Sequence, residues 1–181
     1  MIKTNSNKII LFALSIVILF AIPIYTIFIN SDTLKDGKEY LFKVEAFDPY
    51  DMFRGNYLNI NFEESSVHGN PVNLERDGNN VYYVEIGTRR NGFAYFKNIS
   101  LTKPTHTSSY FKTTAYYVDD EYGDYYLETP SRYYMNENKS LNAEEIYNEN
   151  IDNTYVKVRV KDGKMVIVGV YVDGILIDSI D

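Results

Sequence analysis

Between Ile9 and Ile29 the chain reads IILFALSIVILFAIPIYTIFI, an apolar stretch without a single charge. Wound as an α-helix it would be about 31 Å long, which matches the hydrocarbon core of a bilayer. A cleaved signal peptide carries a shorter apolar region, roughly 7–15 residues, and ends on small residues. Ile29-Asn30-Ser31 makes a poor cleavage site of that kind. A core helix of a soluble domain would need no such length. The reading is therefore a retained transmembrane helix over 9–29, with the lipid bilayer as its first partner. Pro23 can kink it, which a membrane helix tolerates. Lys3 and Lys8 precede the span, whereas Asp32 precedes Lys35 beyond it. The positive-inside rule then makes 1–8 a cytoplasmic tail and puts the rest on the extracytoplasmic side of the cell membrane.

Beyond the helix remain about 150 residues, the size of one domain with one core. Formal charge is −7 overall, and since residues 1–30 hold Lys3, Lys8 and no acid, the remainder carries −9. So acidic a body repels phosphate backbones, and nucleic acid is not expected as a partner. With no cysteine in the chain, disulfides, thiolate catalysis and cysteine-type zinc sites are excluded.

Residues 30–38 are polar, contain Asp36-Gly37 and read as a linker and turn into a β-rich domain over 39–181. Tyr40, Phe42 and Val44 alternate with Leu41, Lys43 and Glu45, and Leu58, Ile60 and Phe62 alternate with Asn59 and Asn61, the period of half-buried strands. Runs at 81–86, 93–101 and 109–118 are rich in Tyr, Phe, Val and Thr and are set apart by Gly, Asn, Asp and Pro. Val156, Val158 and Val160 lead through Lys161-Asp162-Gly163-Lys164 into the apolar run 165–172, a hairpin signature, and Asp173-Gly174 marks another turn. One short helix is expected over about 141–148, where Asn142 and Glu145 have capping-box spacing. The fold class is mainly β, a β-sandwich or barrel-like domain with one short helix, behind the N-terminal transmembrane helix.

Two segments stand out as candidate binding sites. In the first, Asp48-Pro49 opens a turn, Asp51 can accept backbone hydrogen bonds, and Arg54-Gly55-Asn56 leads the chain into a strand at Tyr57. Arg54 could equally offer a bidentate fork to a carboxylate, so the segment is either a structural turn or a site. The second segment is Arg132-Tyr133-Tyr134-Met135-Asn136-Glu137.

Gly55-Asn56-Tyr57-Leu58-Asn59-Ile60-Asn61-Phe62 resembles the signature of the bacterial GDYXXLXY proteins, with Asn56, Ile60 and Phe62 standing where that motif has Asp, Leu and Tyr. The segment at Arg132–Glu137, followed by Ala143-Glu144-Glu145, is similar to that family's aromatic and acidic stretch before its last hairpin. The resemblance implies a membrane-anchored domain, often encoded beside multi-pass membrane proteins, and carries over no catalytic residue.

Other constellations have bland readings. Asp119 to Asp124 is the densest acidic run, but the twelfth position from Asp119 is Pro130, where an EF-hand needs a bidentate Glu, so a solvated turn is expected. His68 and His106 lie in polar stretches without a second ligand at metal spacing. No metal or other cofactor is expected. The pairs Tyr116-Tyr117, Tyr125-Tyr126 and Tyr133-Tyr134 would each send one ring to either face of a strand, one into the core and one to a surface fit for a glycan or protein. No nucleophile-elbow, P-loop or dinucleotide-binding motif is present. The leading expectation is a non-catalytic accessory or binding module acting with a multi-pass membrane protein or an envelope polymer. A tethered hydrolase using carboxylates such as Asp48, Asp51 and Glu137 is the alternative, and a structural subunit contacting a partner through Pro23 and Tyr25 is a third.

Overall fold

Val156, Val158 and Val160 are buried along a strand whose intervening residues are only partly covered, and this alternation repeats through the body. The computed structural model describes residues 3–46, 57–69, 81–119 and 122–180. It begins with helix α1 (Lys3–Asp36) and continues through β1 (Lys38–Glu45), β2 (Tyr57–Asn59), β3 (Asn61–Phe62), β4 (Ser66–His68), β5 (Val81–Thr88) and β6 (Ala94–Ser100). Then come β7 (Tyr110–Asp119), β8 (Asp124–Leu127), β9 (Arg132–Tyr134), α2 (Glu137–Glu149), β10 (Thr154–Lys161), β11 (Lys164–Val172) and β12 (Ile175–Leu176).

Two five-stranded antiparallel sheets result, ordered β12-β11-β10-β1-β3 and β4-β8-β7-β5-β6, with a two-stranded ribbon of β2 and β9 beside them. One core lies between the sheets. Phe96 on β6 meets Phe42 on β1 at 5.2 Å and Phe111 on β7 at 5.2 Å, ring centroid to centroid, so a single aromatic cluster ties the sheets together. The β10–β11 hairpin turns through Asp162 at φ 48° and Gly163 at φ 82°, the pair of positive values a two-residue type I′ turn requires. Asp173 and Gly174 repeat that geometry between β11 and β12. Gly163 also joins the sheets, because it bridges to Phe111 and its carbonyl accepts from the Lys112 N–H at 2.7 Å.

The membrane-length helix and the β-rich body agree with the sequence. Every residue of α1 from Lys8 to Phe28 is exposed, and packing against the body begins at Ile29. The stretch expected as a linker is different: α1 stays helical through Asp36. Arg159 donates to the carbonyls of Leu34 and Lys35, satisfying the last turn of the helix, and the Lys161 ammonium bonds to Asp32 at 2.9 Å and Asp36 at 3.3 Å. Those bonds hold Lys161 above its ordinary pKa. The helix ends at Gly37, whose N–H reaches the Thr33 carbonyl at 2.9 Å.

Three further expectations are corrected. Helix α2 starts at Glu137, so Asn142 and Glu145 lie inside it and do not cap it. The alternating run 57–62 is split, because β2 pairs with β9 whereas β3 pairs with β1. Tyr116 and Tyr117 are both exposed, at 64% and 56%, since the register of β7 on β8 shifts between Ala115 and Tyr117 and both rings gather beside Tyr126.

Candidate functional site

Strand β2 is three residues long, and its pairing partner lies more than seventy positions away. Tyr57 stands opposite Tyr134, Leu58 opposite Tyr133 and Asn59 opposite Arg132, so the structure brings the two candidate segments into one ribbon. On its outer face the Tyr57 and Tyr134 rings are 5.7 Å apart, and the Arg132 guanidinium lies over the Tyr57 ring at 5.1 Å. This is a cation on an aromatic face, with Tyr134 largely exposed. On the other side Leu58 is buried, and the Tyr133 hydroxyl donates to Asp178 Oδ2 at 2.7 Å. Burial, then the bond to Asp178, raises the Tyr133 phenol well above its ordinary pKa. Lys139 Nζ donates to the Asp178 carbonyl at 3.0 Å, so α2 is tied to the same point.

Asp48, Asp51, Arg54, Gly55 and Asn56 lie outside the described residues. Glu137 opens α2, which fixes its place in the chain. Tyr57, Arg132, Tyr133 and Tyr134 are thus the candidates the structure assembles.

Immediately after the ribbon the chain turns into a cleft of about 610 Å³. Ile60, Asn61 and Phe62 form one wall, and Ser131, just before β9, accepts the Ile60 N–H at 2.8 Å through its carbonyl. Glu45, Leu127, Glu128 and Tyr116 line the cleft as well. The floor is apolar where Ile60, Phe62 and Leu127 are buried. The rim offers the carboxylates of Glu45 and Glu128, the Asn61 amide and several hydroxyls. Thr114 donates to Glu128 Oε2 at 2.6 Å, which fixes that carboxylate. Tyr147, fully buried on α2, donates to the Glu45 carbonyl at 2.9 Å and so holds the end of β1 in place.

A family model described as GDYXXLXY protein matches residues 19–170. The chain belongs to the GDYXXLXY family. The family's signature segment now has a structural content: Ile60 and Phe62 are core, Tyr57 carries the stacked Arg132, and Ile60 to Phe62 line the cleft. No curated protein and no solved structure matches the chain.

Sequence reasoning missed the cleft. Its lining comes from β1, β3, β7, β8 and the approaches to the ribbon, which no local motif joins. Ile60 and Phe62 of the signature and Tyr116 were its local signals, and the bulge that exposes both Tyr116 and Tyr117 cannot be read from their spacing. Of the acidic run, Asp120 and Glu121 lie outside the described residues; Asp119 and Asp124 pair at the ends of β7 and β8, where Tyr122 N–H bonds to Asp119 Oδ1 at 3.2 Å and His68 Nδ1 lies 3.1 Å from Asp124 Oδ1. Among the described residues no group of three or more His, Asp or Glu side chains converges as a metal site.

Proposed function

We propose that this GDYXXLXY protein is a single-pass membrane anchor carrying an extracytoplasmic binding module, and that the cleft walled by the signature strand holds a segment of an envelope polymer. The observation that carries the reading is the uncovered helix. From Lys8 to Phe28 no residue of α1 is screened by the body, and the exposed length of about 31 Å equals the lipid core. An apolar surface of that size is stable only in lipid or against other membrane helices. Lys3 and Lys8 favour a cytoplasmic N-terminus.

The cleft supports the ligand class by its chemistry. Two carboxylates at Glu45 and Glu128 repel anions and accept hydrogen bonds from hydroxyls, and the exposed Tyr116 ring offers a stacking face. An uncharged or cationic polysaccharide satisfies all three. The absence of cysteine from the sequence makes single-cysteine probes clean. Ser179→Cys should react with a membrane-impermeant maleimide on intact cells; reaction only after lysis would overturn the orientation. Tyr116→Ala should lose retention on purified cell-wall polysaccharide by tenfold or so while remaining folded, on the scale of one lost stacking contact. If crosslinking instead yields one multi-pass membrane protein, and Tyr116→Ala leaves that complex intact, the polymer reading fails.

A further inference from the structure

The body is acidic, yet the end of it that adjoins the helix is not. Lys161 Nζ is 2.9 Å from Asp32, and Asp32 is only three residues, about 4.5 Å of helix rise, beyond Ile29. The β10–β11 turn therefore lies beside the last apolar turn of α1. Three elements meet at that turn. Lys164 opens β11 directly opposite Lys161, Lys112 bonds through its N–H to the Gly163 carbonyl, and Tyr110 packs against Gly163 with the Lys103 ammonium over its ring at 5.6 Å.

Two shallow clefts flank the turn. One, of about 580 Å³, is bordered by Lys103, His106, Ser108 and Asp162; the other, of about 450 Å³, by Lys112, Lys164 and Glu128. Lys103, Lys112 and Lys164 are exposed, and Lys38, also exposed, donates to Ser109 Oγ at 3.1 Å. Against them stand Asp162 and Glu128. The nearby acids Asp32 and Asp36 are taken up by Lys161, Glu39 by Lys157 and Arg159, and Glu85 by His106.

We propose that this pole, carried by Lys103, Lys112 and Lys164, is a docking surface for the anionic lipid headgroups of the membrane in which α1 sits. The proposal rests on the anchored reading above and adds a partner to it. Because Arg159 and Lys161 fasten the helix to the body, the pole cannot swing away as it could on a flexible tether. A cation within about one Debye length of a negative leaflet, roughly 8–10 Å in physiological salt, gains from it, and the pole holds its lysines beside the end of the helix. A lipid phosphate accepts several ammonium hydrogen bonds at once, and the clefts beside the turn give it room.

The test uses the full chain in nanodiscs of phosphatidylcholine alone and of phosphatidylcholine with an equal part of phosphatidylglycerol. Lysines are acylated with an impermeant reagent and read by mass spectrometry, with Lys97, on β6, as internal reference. Lys103, Lys112 and Lys164 should be several-fold less reactive in the anionic discs, with the difference collapsing in high salt. Equal reactivity in both discs, in protein that has incorporated, overturns the docking surface and leaves the anchor standing. Failure to incorporate into either disc overturns the anchored reading itself. Protection by inorganic phosphate in neutral discs, matching that of the lipid, would show a free-phosphate site and overturn the lipid assignment. The triple variant Lys103→Gln, Lys112→Gln, Lys164→Gln should incorporate normally and lose the lipid dependence of Lys38.

Discussion

Strand β7 has unlike ends. At Tyr110 it touches the turn where Lys103, Lys112 and Lys164 gather beside the helix; some 30 Å on, by the rise of an extended strand, it ends at Asp119 in a hairpin of acids and exposed tyrosines. The first end is stitched to the other sheet at Gly163, whereas the second projects Tyr116, Tyr117 and Tyr122 with little cover. A net charge of −9 for the body averages over this polarity. One pole carries exposed lysines beside the apolar helix and the other carries aromatic and acidic groups, so on the proposed anchored reading the anchor and the charge pattern act together.

The severest test of that arrangement is Phe96→Ala. This ring joins Phe42, Phe62 and Phe111 across the two sheets, so its removal should cost about 3–5 kcal/mol in a denaturant titration. If the poles belong to one cooperative unit, amide exchange will rise at both. Exchange rising at the hairpin end alone would show that they unfold separately.

Gly37→Ala should act at one pole only. A Cβ there would sit 2.3 Å from the Thr33 carbonyl and 2.9 Å from the Arg159 Cβ, so the junction must shift, at a cost of roughly 1–3 kcal/mol. Tryptic cleavage after Lys35 and Lys38 should quicken, with the β7–β8 hairpin unchanged. Unaltered cleavage would mean that the helix is not held as described.

Alkali should weaken the ribbon and the helix junction, for related reasons. Tyr133 has its pKa raised by burial and by Asp178, and Lys161 has its pKa raised by Asp32 and Asp36. A group raised on folding contributes stability that is complete below its unfolded value and is lost as pH climbs through the folded one. For Tyr133 that loss starts near 10.0, and for Lys161 near 10.5. Tyrosinate absorbance should therefore show a fraction that ionises only with unfolding. Tyr133→Phe should remove one tyrosine from that fraction and cost about 1 kcal/mol at neutral pH.

What could be read from the sequence was what local chemistry encodes. Asp162-Gly163 specifies its turn because both residues must take positive φ, and the valines of β10 alternate because one face is core. The apolar run of α1 is legible from length alone. Pairing of Tyr57 with Tyr134 was not, since nothing in either segment names a partner so distant, although both had been singled out for their residue types. The helical state of 30–36 depends on Arg159 and Lys161, which lie over a hundred residues away. Of the first candidate segment only Tyr57 falls among the described residues; Asp48, Asp51, Arg54, Gly55 and Asn56 lie outside them.

The mildest prediction separates charge from fold at the outer pole. Asp119 Oδ1 accepts the Tyr122 N–H at 3.2 Å, and an asparagine oxygen can accept the same bond without the charge. Asp119→Asn should thus leave stability within about 0.5 kcal/mol, whereas Asp119→Ala should lose somewhat more because the turn's amide is left to water. If Asn proves as costly as Ala, the charge itself holds the hairpin and the acidity of this pole is structural. If Asn is silent, the charge of Asp119 is not needed for folding, and the two ends of β7 differ in their charge and not in what they need to fold.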